Sequence, residues 1–229
     1  MQRLAVVPAR AGSKRLPGKN IRILGGKPLV NHTVEVARRC FDLVIVSSDS
    51  ADILAVIEPA PNVKCLLRPS GLSTDQSKVV ATVSFYYDQF DESHYDQIWL
   101  CLPTCPLRTS SEVLAGQNLL TKEVDGVISV AEYEFPPSLG LRMDHGLLKE
   151  IDPALPLSSG NSRSQDHAGA CRPNGAFYGM WWTSFGKHRN FFQGKVRGYL
   201  MPRERSVDID TEWDFAVAEF LLGKVAPQP

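Results

Sequence analysis

Residues 4–20 read LAVVPARAGSKRLPGKN, and their interpretation decides the fold. Leu4 to Val7 form an apolar run that stops at Pro8, too short for a helix and apolar throughout, as a strand buried on both faces would be. The chain then enters a segment carrying Arg10, Lys14, Arg15 and Lys19, with Gly12 and Gly18 and no acid. Working outward, the same strand signal recurs at 42–49 (DLVIVSSD), 63–67 (VKCLL), 96–102 (DQIWLCL) and 125–133 (DGVISVAEY). Helical spacing fills the gaps, at 28–40 (PLVNHTVEVARRC), 50–57 (SADILAVI), 76–90 (QSKVVATVSFYYDQF) and 110–122 (SSEVLAGQNLLTK), the last capped by Ser110 or Ser111.

Strands alternating with helices imply right-handed crossovers. The expected fold is therefore α/β: a mostly parallel, Rossmann-like central sheet with helices on both faces. The rhythm breaks from Tyr133 to Pro173, a stretch rich in Pro, Ser and Gly. A hairpin over LRMDHGLLKEI, turning at His145-Gly146, is expected inside it. The organisation is thus a core over 1–132, a dimerisation or lid excursion over 133–173, and the rest of the core over 174–229. In that last part AFYGMWW and VRGYLMP read as strands, and TEWDFAVAEFLL as a closing helix with Thr211 as N-cap and Asp214 three residues on.

Composition excludes several function classes. Lys+Arg and Asp+Glu balance at 25 each, which removes a global pull toward nucleic acid or membrane. No apolar run approaches the ~18 residues of a membrane span. The apolar stretch before Arg10 is short of a secretory signal core. Five scattered cysteines suit buried thiols in a reducing cytoplasm, and neither they nor the five histidines show zinc-ligand spacing.

Anion binding must then come from a local cluster. Ligands of open parallel sheets sit at the carboxyl ends of the strands, where the loop after Val7 lies. The loop is not a P-loop: five residues separate Gly12 from Gly18, and Lys19 is followed by Asn20. Nor does it contain a dinucleotide GxGxxG. What remains is a flexible turn whose backbone N–H groups and flanking cations suit a polyphosphate.

PARAGSKRLPGKN closely resembles the N-terminal signature of the CMP-sialic acid synthetases, the acylneuraminate cytidylyltransferases. VSSDS, RPSGLSTD, LPTCPLR, RPNGAFY, NFF and SVDIDTEWDFAVAE follow in the family's order, from Pro8 to about Glu219. The resemblance implies transfer of a cytidylyl group from CTP to a nonulosonic acid, a nine-carbon 2-keto sugar acid, releasing pyrophosphate. It implies that Arg10, Ser13, Lys14, Lys19 and Asn20 grip the triphosphate and that Arg68 reads cytosine. A planar guanidinium fork suits the O2/N3 edge of that base. It also implies Mg²⁺ on Asp208 and Asp210. Two carboxylates two residues apart share one face of an extended chain and repel unless a cation or proton lies between them. Lys19, Arg10 and Asp210 are the expected catalytic groups, with either aspartate available to accept the proton. Asp49 is either a helix N-cap or a catalytic residue.

For the acceptor, Arg163 or Arg172 would meet the sugar carboxylate, Asn174 a hydroxyl, and Phe191 and Phe192 an apolar wall, although core packing would explain both phenylalanines equally. The family's excursion makes a homodimer the expected state. Leu102 stands where the family has glutamine, and Cys171 where it often has tyrosine. These departures keep open a Kdo-type sugar or a phosphonate as acceptor. A non-catalytic nucleotide-binding regulator is the remaining alternative.

Overall fold

The computed structural model describes residues 1–74, 76–90, 94–151 and 169–224. Strand β1 (Arg3–Pro8) leads through a short arm, β2 (Ile23–Leu24) and β3 (Lys27–Pro28), into α1 (Leu29–Cys40). Next come β4 (Leu43–Ser48), α2 (Ala51–Ala55), β5 (Val63–Leu67), α3 (Val79–Tyr87) and β6 (Gln97–Leu100). Then follow α4 (Ser110–Leu119), β7 (Gly126–Glu132) and a separate hairpin, β8 (Leu141–Asp144) with β9 (Leu147–Glu150). The chain closes with β10 (Cys171–Trp181), α5 (Trp182–His188), β11 (Val196–Leu200) and α6 (Glu212–Lys224).

The main sheet has seven strands in the order β11-β7-β10-β6-β1-β4-β5. Strands β6, β1, β4 and β5 pair in parallel, as do β11 and β7. Strand β10 lies antiparallel between β6 and β7. The mostly parallel α/β sheet is therefore as expected, with one inserted strand reversed.

The pleat explains why helices cover both faces. Along β1, Ala5 and Val7 join the core under α1, α2 and α4, while Leu4 and Val6 join the core under α3 and α5. All four are fully buried. Each such side chain contributes about 1.5–3 kcal/mol relative to exposure, so a strand with no polar face is stable only between two layers. A third apolar cluster joins Leu16 of the first loop, Leu24 and Leu29 to Ile209, Phe215 and Ala218. It fastens α6 beneath the loop that follows β1.

Several local expectations are refined. The cap of α4 is Thr109, not Ser110 or Ser111: its hydroxyl accepts the Glu112 N–H while the Glu112 carboxylate accepts the Thr109 N–H. Thr109 wins because it alone of the three hydroxyl residues has a glutamate at the third position on. The α6 cap is as expected, with Thr211 and Asp214 bonded reciprocally. His145 and Gly146 form the hairpin turn, with φ of 47° and 82°, the left-handed pair that a two-residue hairpin requires. Strand β10 begins earlier than its apolar run suggests: Cys171 to Pro173 already pair with β7, and the register shifts before Tyr178. Gly175, at φ 82°, allows that irregularity.

Candidate functional site

A cleft of about 620 Å³ opens beyond the carboxyl ends of β1, β5 and β6. It gathers eight residues singled out from sequence: Arg10, Ser13, Lys14, Lys19, Asn20, Arg68, Asp208 and Asp210. The basic loop is a built structure and not a solvated coil. Leu16 is buried in the third cluster and plugs the loop from below. The Asn20 amide donates to the Arg10 carbonyl at 2.8 Å, closing the loop across its neck. Gly18 (φ 66°) turns the chain just before Lys19.

Lys19 is only 7% exposed. Its Nζ donates to the Ile209 carbonyl at 2.6 Å and to Asp210 Oδ1 at 3.0 Å. Arg15 Nη2 donates to Asp210 Oδ2 at 2.7 Å. The loop's cations and the aspartate segment therefore face one another. Arg15 was not singled out from sequence; the only signal was its place within the same cationic run.

The segment 207–210 was read as strand-like. It joins no sheet, but it is extended enough that Ile209 is buried while Asp208 and Asp210 both face the cleft. One backbone bond, Ile209 N–H to the Thr104 carbonyl at 2.7 Å, ties it to the loop after β6. Among the described residues no group of three or more His, Cys, Asp or Glu is placed to hold a metal ion. A bound ion would have Asp208 and Asp210 as its protein carboxylates here. Mg²⁺ commonly takes one or two carboxylates together with substrate phosphates, so this donor set fits it.

Arg68 follows β5 with its side chain 4% exposed. Nη1 donates to Thr82 Oγ1 at 3.2 Å, and Nε is buried without a hydrogen-bond partner. Burial pushes its pKa down, opposed by the nearby Asp49 carboxylate. A buried guanidinium with an unsatisfied donor at a cleft wall is a group held ready for a ligand. Asp49 is not the cap of α2, whose N-cap is Ser50. It accepts the Ala11 N–H at 2.9 Å instead.

The acceptor-side expectations fare differently. Arg163 lies outside the described residues. Arg172 is half-buried on β10 opposite Ala131 and does not line the cleft. Asn174 requires correction as a sugar ligand. It is fully buried; its amide donates to Ser206 Oγ at 2.9 Å, and its oxygen accepts the Ala176 N–H at 3.1 Å. It holds the irregular start of β10 and presents nothing to the cleft. Phe191 is core, packed on Phe185 at 5.0 Å. Phe192 is 60% exposed and edges Tyr178 at 5.9 Å. Burial, and then the neighbouring Asp208 and Cys105, push the Tyr178 phenol up to about 12. Leu102 lines the cleft with an apolar side chain, while its carbonyl accepts from Arg108.

An open α/β sheet with a cationic loop at its first strand end, a buried arginine beside it and two carboxylates opposite defines a nucleotide-handling transferase cleft. Comparison makes this specific. The family model described as Cytidylyltransferase matches residues 4–121. The CMP-N,N'-diacetyllegionaminic acid synthase of Legionella pneumophila is 33% identical over 97% of each chain. The N-acylneuraminate cytidylyltransferase of Streptococcus agalactiae is 30% identical over 94% of this chain, which spans 52% of that longer protein. Among solved structures, CMP:2-keto-3-deoxy-manno-octonic acid synthetase complexed with CTP superposes with a TM-score of 0.70 at 14% identity, covering 98% of this chain and 99% of that one. At that identity the likeness concerns the fold. The chain belongs to the cytidylyltransferase family, and it is a nucleotidyltransferase enzyme. Among the described residues no helix is long and apolar enough to cross a membrane.

Proposed function

We propose that the protein activates a nonulosonic acid with CTP, giving the CMP-sugar and pyrophosphate. The observation that carries this reading is the meeting of the basic loop, Arg68 and the Asp208–Asp210 pair in a single cleft. The similarity to the legionaminic and acylneuraminic enzymes supports the acceptor class.

In this reading Arg10, Ser13, Lys14 and Lys19 hold the triphosphate, with Asn20 keeping their loop closed. Arg68 meets the cytosine edge. The acceptor's anomeric 2-hydroxyl attacks the α-phosphorus in line: its O–P bond forms as the bond to the β-phosphate oxygen breaks. Negative charge grows on the departing pyrophosphate, and Lys19 and Arg10 stabilise it there more than in the bound substrate. The hydroxyl proton passes to a cleft carboxylate, Asp208 or Asp210. Asp208 and Asp210 would hold Mg²⁺, which would supply charge neutralisation at the phosphates and a lowered hydroxyl pKa. Arg172 lies outside the chain's own cleft, so it would serve as the sugar carboxylate's partner only across a dimer interface.

One face of the β8–β9 hairpin carries Leu141, Met143 and the Leu148 that pairs with it, all exposed, and this apolar face supports a homodimer built through the excursion. Five cysteines, none in a disulfide, support a cytoplasmic setting.

The test is pyrophosphate release from CTP and Mg²⁺ with a panel of legionaminic, pseudaminic, sialic and Kdo acids and a phosphonate. Release with a nine-carbon acid, suppressed by EDTA and slow with UTP, is the expected result. Release with Kdo or the phosphonate alone overturns the acceptor, and release with none overturns catalysis of this transfer.

A further inference from the structure

Asp49 is neither a helix cap nor a cleft-lining residue, yet its carboxylate stands where two ligand-gripping elements meet. Oδ1 accepts the Ala11 N–H of the basic loop at 2.9 Å and lies 3.8 Å from Arg68 Nη2. We infer that Asp49 is a positioning residue: one carboxylate sets the loop and Arg68 in fixed register, coupling the grip on the triphosphate to the reading of the base. The inference rests on the CTP reading of the cleft given above.

Three observations carry it. Arg68 is buried, and a buried cation needs a countercharge. Its hydrogen-bond partner, Thr82, is neutral, and its Nε has none, so Asp49 supplies that charge. At 3.8 Å the pair attracts without consuming the guanidinium's donors, which stay available to a ligand. Second, Arg10 opposes the charge on Arg68. The phosphate-gripping and base-reading cations therefore repel, and Asp49, bonded one residue beyond Arg10, offsets that repulsion. Third, the carboxylate is not engaged by α2, where Ser50 takes the cap position.

The test is a double-mutant cycle of Asp49→Asn with Arg68→Ala, read as KM and kcat for CTP and for UTP alongside melting temperature. Asparagine is isosteric and keeps an oxygen for the Ala11 N–H, so only the charge is removed. Expected are a folded protein, a KM for CTP raised about tenfold with kcat little changed, and a narrowed preference for CTP over UTP. In the Arg68→Ala background the same substitution should add little. An unchanged CTP/UTP ratio, or additive effects in the cycle, overturns the inference, because a merely structural role moves neither. If Asp49→Asn does not fold, Asp49→Ser, which keeps a short acceptor, enters the same cycle with the same criteria. A wild-type enzyme with no preference for CTP fails at the earlier step and overturns the reading of the cleft instead.

Discussion

Replacing Lys19 with methionine should separate turnover from stability. The side chain is buried, with Nζ 2.6 Å from the Ile209 carbonyl and 3.0 Å from Asp210. Methionine keeps most of the stem volume and removes the charge. The Ile209 carbonyl then loses a donor. Asp210, 36% exposed, keeps Arg15 at 2.7 Å and gains water. A lost bond to a carbonyl plus a half-wet ion pair costs about 1–2 kcal/mol. For a chain of this length that lowers Tm by roughly 2–8 °C. On the proposed function, the same ammonium faces the departing pyrophosphate in the transition state. A preorganised donor there is worth about 3–4 kcal/mol, or ~10²–10³ in kcat. Pyrophosphate release at saturating CTP and a thermal melt on the same sample measure both quantities. A folded variant turning over within about threefold of wild type, a difference below 1 kcal/mol, refutes the phosphate assignment. A collapse of Tm well beyond the range above makes Lys19 a residue of the fold.

Two other outcomes are expected. Burial pushes Cys101 up to about 11 and Cys105 up to about 12, and Tyr178 also reaches about 12. Unfolded thiols titrate at about 8.5 and phenols at about 10, so the unfolded chain releases these protons first. Their contribution is complete below about pH 8.5 and declines as pH rises toward the native values. Urea midpoints should therefore fall between pH 8.5 and 10.5, and a flat profile contradicts the burial argument. For the hairpin, Met143→Glu with Leu148→Glu, which share one face, should convert a dimer to a monomer by light scattering while leaving the core's melt within a few degrees. An unchanged mass removes the hairpin from the dimer contact.

The parallel half of the sheet was legible because β1, β4 and β6 are buried on both faces and carry the apolar runs Leu4–Val7, Leu43–Val46 and Ile98–Leu100. The direction of β10 was not, since its apolar run would look the same either way along the sheet. Its early start was hidden by Pro173 and Gly175, which read as turn residues and here mark an irregular edge. The nucleotide side of the cleft was legible because its residues lie in short contiguous motifs that loops deliver together. Arg15 and Asp49 were harder to assign: their roles depend on contacts with Asp210, Ala11 and Arg68 that linear spacing does not encode. Asn174 illustrates the opposite error. A polar residue in a striking motif was serving the backbone, through bonds to Ser206 and Ala176.

Asp210 is held by both Lys19 and Arg15, while Asp208 has no ion pair among the described residues. The two aspartates are therefore not equivalent under mutation. Loss of Asp208 removes a carboxylate; loss of Asp210 also releases two cations that had been restrained. On the proposed CTP reading, nucleotide entry is an exchange of partners, in which the loop gives up one anion to hold another. An affinity for CTP would then report the difference between those two grips, and weakening the resting one would tighten the other without a single new contact to the nucleotide.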